Sequence, residues 1–356
     1  MTEPFVYQPL PVRVIFGAGT VARVAAELER IGARRALVLS TPGRAEAQAQ
    51  AIAASLGDRA AGVFAGAVMH TPVAVTERAL AVVEERGVDA LVAIGGGSTT
   101  GLAKAIALRT DLPQIVLPTT YAGSEMTPIL GETGDGRKTT RQDPRILPEI
   151  VIYDVELSLD LPAATAAVSG VNAIAHAVEA LYARERNPVT SLMAEDGIAA
   201  LAGALPRIAQ APGDRAARSE ALYGAWLCGV CLGTVGMALH HKLCHVLGGA
   251  FGLPHAETHT IVLPHAVAYN APAAPQAMAR VARALRTVDP ALGLRELADR
   301  LGAKRSLREL GMPEDGIEVA VAQTMAAPYW NPRPLDGAMI RALMVRAWRG
   351  EPPGAI

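Results

Sequence analysis

The chain is short of cysteine, of aromatic residues, of net charge, and of histidine outside one segment. Three cysteines in 356 residues, an odd number, build no disulfide framework. Aromatics make up 4% and charged residues 19%, against 51% hydrophobic residues. That balance excludes a disordered chain and fits a compact, Ala-rich helical or α/β enzyme. A formal net charge of −1 leaves no broad basic field, so neither nucleic acid nor a membrane surface is an expected partner. No uninterrupted apolar run reaches the roughly 18 residues of a spanning helix. The opening stretch MTEPFVYQPLPVRVIFG has no basic segment followed by an apolar one, so a secretory leader is not expected and a cytoplasmic location is the default.

What is present divides the chain in two, as its length also suggests. Short apolar runs at 36–40 (ALVLS), 90–96 (ALVAIGG), 114–118 (QIVLP) and 149–154 (EIVIYD) read as buried parallel strands. Helical patterns lie between them at 44–56 and 71–87, the second opening on Thr71 and Pro72 as a cap and first residue. GDGRKTT at 134–140 carries a hairpin signal. Strand–helix alternation predicts a doubly wound, mainly parallel sheet over residues 1–160. From DLPAA onward the pattern is helical, so 161–356 is expected to be an all-helical domain carrying substrate and catalysis. Cys228 and Cys231 form a C-x-x-C inside GAWLCGVCLGTVGMAL. With no strand-to-helix turn and no second cysteine pair, they read as buried helix residues.

GGGSTTGLAKAIAL (95–108) follows a strand and opens a helix. Gly95, Gly96 and Gly97 let backbone approach a ligand, and the helix start, with Ser98 and Thr99, offers N–H groups to a phosphate. It is neither the G-x-G-x-x-G fingerprint nor a P-loop, since Thr100 stands at the third glycine and no Gly-Lys-Ser/Thr follows. PTTYAGSEMTP (118–128) ends the next strand and is dense in hydroxyls, with Thr119, Thr120, Tyr121 and Ser124 as candidates. Two such loops after neighbouring strands point to a dinucleotide. The early strand ends in Ser40 and Thr41, with Arg44 nearby and no carboxylate to repel a 2′-phosphate, so NADH or NADPH is expected.

Five of the eight histidines fall within HHKLCHVLGGAFGLPHAETH, residues 240–259. His241 and His245 are four apart and share a helix face. So do Asn172 and His176, and so would His255 and His259 in a helix starting at Pro254. Pairs on facing helices make a plausible metal or acid/base site.

These motifs resemble the iron-containing (group III) alcohol dehydrogenase superfamily along nearly the whole chain. GGGSTTGLAKA resembles its glycine turn, PTTYAGSEMT its hydroxyl loop, and HKLCHVLGGAFGLPH its histidine signature. The resemblance implies its two-domain fold, a homodimer, and metal-ligand positions falling on Asn172, His176, His241 and His255. It also places Lys138 near the cofactor ribose; Tyr121, where the family loop varies, is expected on the nicotinamide side. Two departures stand out: Asn172 replaces the only carboxylate ligand, and Gly101 stands where the turn usually has Asp. Loss of that hard ligand implies a site without metal. Together with NPRP at 331–334, the departures resemble the branch that reduces the carbon–carbon double bond of maleylacetate to give 3-oxoadipate in bacterial degradation of aromatic compounds. For that chemistry His241, His245, His255 and His176 are the expected acid/base and oxyanion groups. Asn172 would serve as a hydrogen-bond donor, and Lys242, with Arg333 second, as the cation for a dicarboxylate substrate.

Overall fold

The computed structural model describes residues 4–134, 137–326 and 329–354, and the side chains at 137 and 138 fall outside it. The chain forms two compact units, Pro9–Leu161 and Pro162–Ile356, the latter grouped with the N-terminal residues up to Gln8.

Among the described residues the first unit has eight strands: β1 (Arg13–Phe16), β2 (Ala36–Leu39), β3 (Ala60–Phe64), β4 (Ala90–Gly95), β5 (Gln114–Pro118), β6 (Ile129–Gly134), β7 (Arg137–Gln142) and β8 (Ile150–Tyr153). Six of them form one sheet in the order β1-β8-β5-β4-β2-β3, every pair parallel. β6 and β7 form the separate antiparallel hairpin that the Asp-Gly signal predicts, though the turn itself lies outside the described residues. The interior strands β2, β4, β5 and β8 are the four largely apolar runs, buried throughout. β1 and β3 are the edges and are buried on fewer positions: β1 opens on Arg13, and β3, AAGVF, is apolar but carries a glycine at its centre.

Helices α1 (Val24–Arg30), α2 (Arg44–Leu56), α3 (Val73–Glu85) and α4 (Gly97–Thr110) cover this sheet. Residues alternate along each strand. Val38, Val92, Ile94, Ile115 and Leu117 meet α1 and α2 on one face. Leu37, Leu39, Leu91, Ala93 and Val116 meet α3 and α4 on the other. The direction of winding reverses between β2 and β4, which pair directly. Their carboxyl ends, Ser40–Thr41 and Gly95–Ser98, therefore sit at the switch point where open α/β sheets bind ligands.

One local expectation changes. Pro72, not Thr71, is the cap of α3. Thr71 takes a left-handed φ of 44° and is buried, its carbonyl accepting from the Thr133 amide at 3.3 Å.

After the short α5 (Val155–Ser158), the second unit contains α6 (Ala163–Tyr182), α7 (Pro188–Gln210), α8 (Arg215–Thr234), α9 (Leu239–Phe251) and α10 (His255–Asn270). It continues with α11 (Pro275–Leu285), α12 (Pro290–Arg300), α13 (Gly316–Ala326) and α14 (Gly337–Arg349). The apolar stretch 224–239 is not one helix. It breaks after Thr234, and α8 and α9 meet at 92°. Cys228 and Cys231 are buried within α8, and burial drives the Cys231 thiol up to about 12, so CGVC is packing as expected. Among the described residues no single helix is long and apolar enough to cross a membrane. Leu239, Leu243 and Leu247 of α9 anchor the core against Ile261 and Val262 of α10 and Ile340, Leu343 and Met344 of α14. This leaves the other flanks of α9 for its histidines.

His265, deep in α10, shows what that core imposes. Both its ring nitrogens are buried without a partner among the described residues. Burial first, then Arg295 and Arg346, lowers its pKa from 6.5 to about 4. Between those values the unfolded chain binds the proton and the folded chain does not, so this contribution to stability is lost as pH falls from about 6.5 toward 4. His265→Leu should therefore lessen the loss of urea stability between about pH 7.5 and 5 by roughly 2 kcal/mol. An unchanged pH dependence would place the acid-sensitive group elsewhere.

Candidate active site

In the sheet unit, Gly95 ends β4 at φ 151°, Gly96 caps α4, and Gly97 is its exposed first residue. The Thr119 amide donates to the Gly95 carbonyl at 2.9 Å. A Cβ on Gly96 would meet Thr120 at 2.9 Å, so bare backbone lets the two loops pack together. Ser98, Thr119, Thr120 and Ser124 remain partly exposed at this edge, as does Thr41 after β2. The Ser40 and Thr99 hydroxyls are buried without a partner among the described residues. A glycine-lined helix start flanked by hydroxyls fits a dinucleotide pyrophosphate.

Three expectations need adjusting here. Thr99 turns its side chain inward over Gly95, so only its backbone belongs to the ligand edge. The ring of Tyr121 is buried completely and belongs to the interior of the loop. Arg44 donates to the carbonyl of Asp160. The expectation for Lys138 lies outside the described residues.

Sequence reasoning passed over Lys104, the only charged residue in the first twelve positions of α4. It is wholly buried and donates to the Ser124 carbonyl at 2.5 Å, to the Thr127 carbonyl and hydroxyl at 2.7 and 2.9 Å, and to the Ile129 carbonyl at 2.9 Å. Desolvation lowers its pKa to about 7, opposed by Glu125. Lys104 thus ties the 118–128 loop to α4.

In the helical unit, α6, α9 and α10 bring the histidines together. α9 starts sharply at Ala238, which puts His241 and His245 on one stripe and His240 and Cys244 on the next. α10 starts at His255, with Pro254 as its cap, so His255 and His259 do share a face, their tilted rings 4.2 Å apart between centroids. His176 Nδ1 and His241 Nε2 lie 2.9 Å apart, and Asn172 Nδ2 lies 3.4 Å from His176 Nε2. The His241 ring centre is 5.1 Å from that of His259 and 6.3 Å from that of His245. Asn172, His176 and His241 are buried, whereas His245 and His255 are exposed. The site is therefore a buried polar base with two solvent-facing imidazoles above it. Lys242 is partly exposed, with its ammonium 5.6 Å from the centre of the Tyr329 ring. Arg333 is drawn elsewhere: it donates to the Tyr269 carbonyl at 2.8 Å and lies over the Tyr269 ring.

The carboxylate missing at Asn172 is partly made up by one that the motifs did not flag. Glu179 is the only charged residue in α6 and is fully buried. Its Oε2 accepts from His241 Nδ1 at 2.7 Å and from the Ala238 amide at 2.8 Å; its Oε1 accepts from the His240 amide at 2.9 Å and the Tyr182 hydroxyl at 3.2 Å. Burial pushes this carboxyl up, but the bond from His241 and the two backbone amides outweigh that and hold it below the usual range. A lone carboxylate in an apolar helix, one turn from His176, was the available signal.

His240 and His259 were also missed as a pair. His240 Nε2 lies 2.9 Å from His259 Nδ1, with the Cys244 sulfur 3.8 Å from the same His240 nitrogen. Burial, then the neighbouring histidines, holds both rings well below the usual histidine pKa, so they stay neutral.

Iron fits poorly at the four positions the resemblance marks. Asn172, His176, His241 and His255 include no carboxylate, and the facing nitrogens of His176 and His241 lie within hydrogen-bond distance of each other. The donor set that does converge, among the described residues, is His240, Cys244 and His259, whose ligand atoms lie within 4.8 Å of one another. A thiol with two imidazoles suits a soft cation such as zinc and offers no hard oxygen ligand.

Residues 11–155 match the family model for iron-containing alcohol dehydrogenase, and residues 166–348 match that for the C-terminal part of the Fe-containing alcohol dehydrogenase family. The chain is 60% identical to the maleylacetate reductase of Sphingobium indicum over 98% of its own length and 99% of that protein. It is 55% identical to the maleylacetate reductase of a Rhizobium species, over 99% of each. The crystal structure of maleylacetate reductase from Agrobacterium tumefaciens superposes with a TM-score of 0.95 at 55% identity, covering 99% of this chain and 100% of that one.

Proposed function

The chain belongs to the iron-containing alcohol dehydrogenase family, and from that membership we infer how its residues reduce maleylacetate to 3-oxoadipate with NADH or NADPH. The observation that carries the activity is the full-length identity of 50–60% to maleylacetate reductases. The site adds the chemistry.

The bound dinucleotide supplies a hydride; Gly95–Ser98 and Thr119–Thr120 are the residues to hold its phosphates. The substrate's double bond is conjugated to a ketone, so reduction at the far carbon sends the electron pair to the ketone oxygen as an enolate. The enolate carbon then takes a proton. Hydrogen-bond donors can hold an enolate oxygen, and histidines donate near neutral pH. We assign the enolate oxygen and the proton to the imidazoles around the reacting carbons, with His245 and His255 open to substrate and His241 and His176 behind them. Asn172 donates an amide N–H to a substrate oxygen, which an ionised carboxylate cannot do. Lys242 pairs with one substrate carboxylate. The reaction requires no metal in this reading, and the enzyme works as a homodimer.

The deciding experiment is NADH or NADPH consumption with maleylacetate after exhaustive chelation, with metal analysis of the same sample and of Cys244→Ser. Full activity in metal-free protein supports the assignment. Activity lost on chelation and restored by iron or zinc defeats it. Zinc that disappears in Cys244→Ser while activity stays would place a structural ion at the thiol site and leave the assignment standing.

A further inference from the structure

Four groups form one continuous hydrogen-bonded line: Asn172 Nδ2 to His176 Nε2 at 3.4 Å, His176 Nδ1 to His241 Nε2 at 2.9 Å, and His241 Nδ1 to Glu179 Oε2 at 2.7 Å. The ends of such a line decide its direction. An ionised carboxylate only accepts, so a neutral His241 carries its proton on Nδ1 and presents a lone pair at Nε2. His176 must then donate from Nδ1 and present a lone pair at Nε2. That lone pair takes a hydrogen from the Asn172 amino group. The polarity of every bond follows from Glu179.

We propose that Glu179 is a positioning residue for the reduction: it sets the tautomers of His241 and His176 and thereby turns the Asn172 amide so that its second N–H is available to a substrate oxygen. This deepens the assignment of Asn172 above and rests on it. Two further observations support the proposal. The Asn172 carbonyl oxygen is buried with no partner among the described residues, so no local bond competes with Glu179 for the orientation of that amide. The start of α9 also has its backbone donors engaged: Ala238 and His240 donate to Glu179, and Leu239 donates to Asn331 Oδ1 at 3.3 Å. The same carboxylate that orients His241 thus caps the helix that carries it, which leaves the ring little freedom to leave the line. Neutral imidazoles in water favour no such pair of Nδ1–H tautomers by themselves, so their presence would be a signature of the acceptor at the end.

The first test uses the native enzyme with isotopically labelled histidine and reads imidazole tautomers by nuclear magnetic resonance, each ring assigned by removing it in turn. The expected result is Nδ1–H for both His241 and His176. Nε2–H in both rings overturns the proposal. The second test is Glu179→Gln, whose amide presents donors as well as an acceptor. Its kcat should fall by about 10²-fold or more, as when a triad carboxylate is made an amide. Dinucleotide affinity should be unchanged, and Glu179→Asp should recover at least about tenfold of the loss. A variant that loses only thermal stability, with tautomers and kcat intact, shows a helix cap and nothing more, and overturns the proposal. The tautomers are read without turnover. A native enzyme inactive on maleylacetate but showing both Nδ1–H rings would therefore defeat the functional reading separately.

Discussion

Asn172→Asp is expected to raise KM for maleylacetate by about 10²–10³-fold. The side chain is only 4% exposed and lies 3.4 Å from His176, so a carboxylate there has little water to screen it. Against a substrate carboxylate or enolate about 4 Å away, with an effective dielectric near 20, repulsion costs roughly 4 kcal/mol. Proton counting adds to the effect. In the native line one end donates and the other accepts, so two neutral imidazoles complete it. With acceptors at both ends, the introduced carboxylate and Glu179, the two rings between them need one additional proton. The variant should also hold a divalent cation through dialysis, because a hard oxygen ligand returns beside His176 and His241. Steady-state kinetics and metal analysis check both statements. An unchanged KM together with no retained metal would show that the amide is not there for the substrate's charge.

The second large effect belongs to the other departure from the family turn. Gly101 is buried in α4, and a Cβ built on it runs into the Thr71 hydroxyl. Thr71 cannot easily retreat: it already holds a left-handed φ of 44°, and its carbonyl is bonded to the Thr133 amide. Gly101→Asp should therefore destabilise the sheet unit by about 3 kcal/mol or more, from overpacking together with an unpaired buried carboxylate. Combining it with Thr71→Ala should return about 1–2 kcal/mol of that, as expected for residues in contact. Urea unfolding of the two variants and the double variant makes the measurement. A wild-type midpoint in Gly101→Asp alone would mean that Thr71 moves aside freely. Gly101 and Thr71 are best understood as one fitted pair, which explains the missing Asp without reference to metal.

Both departures are visible in the sequence, yet their meaning differs in kind. At Asn172 the change of side-chain chemistry is itself informative, because a neutral amide in place of a carboxylate alters what can be bound wherever the helix points. At Gly101 the reason is a contact with Thr71, far back along the chain, which no local pattern displays.

The amino-acid sequence by itself determined the features that depend on periodicity and backbone chemistry. The four interior strands show as apolar runs because they are buried on both faces. The glycine turn reads as a ligand loop because bare backbone at a strand-to-helix turn lets a ligand approach the helix N–H groups. The pairs His241–His245 and Asn172–His176 read as shared faces because the helix repeats nearly every four residues. Tertiary structure alone decided the rest. The edge strands β1 and β3 are short and only partly buried, and their pairing with β8 and β2 makes them strands. Tyr121 turned inward and Arg333 was taken by Tyr269, since a polar residue's partner depends on what folds against it. Above all, Glu179 meets His241 across 62 positions of sequence. Helical periodicity can place each of them on a face of its own helix, but only the packing of α6 against the start of α9 makes one the acceptor for the other's proton.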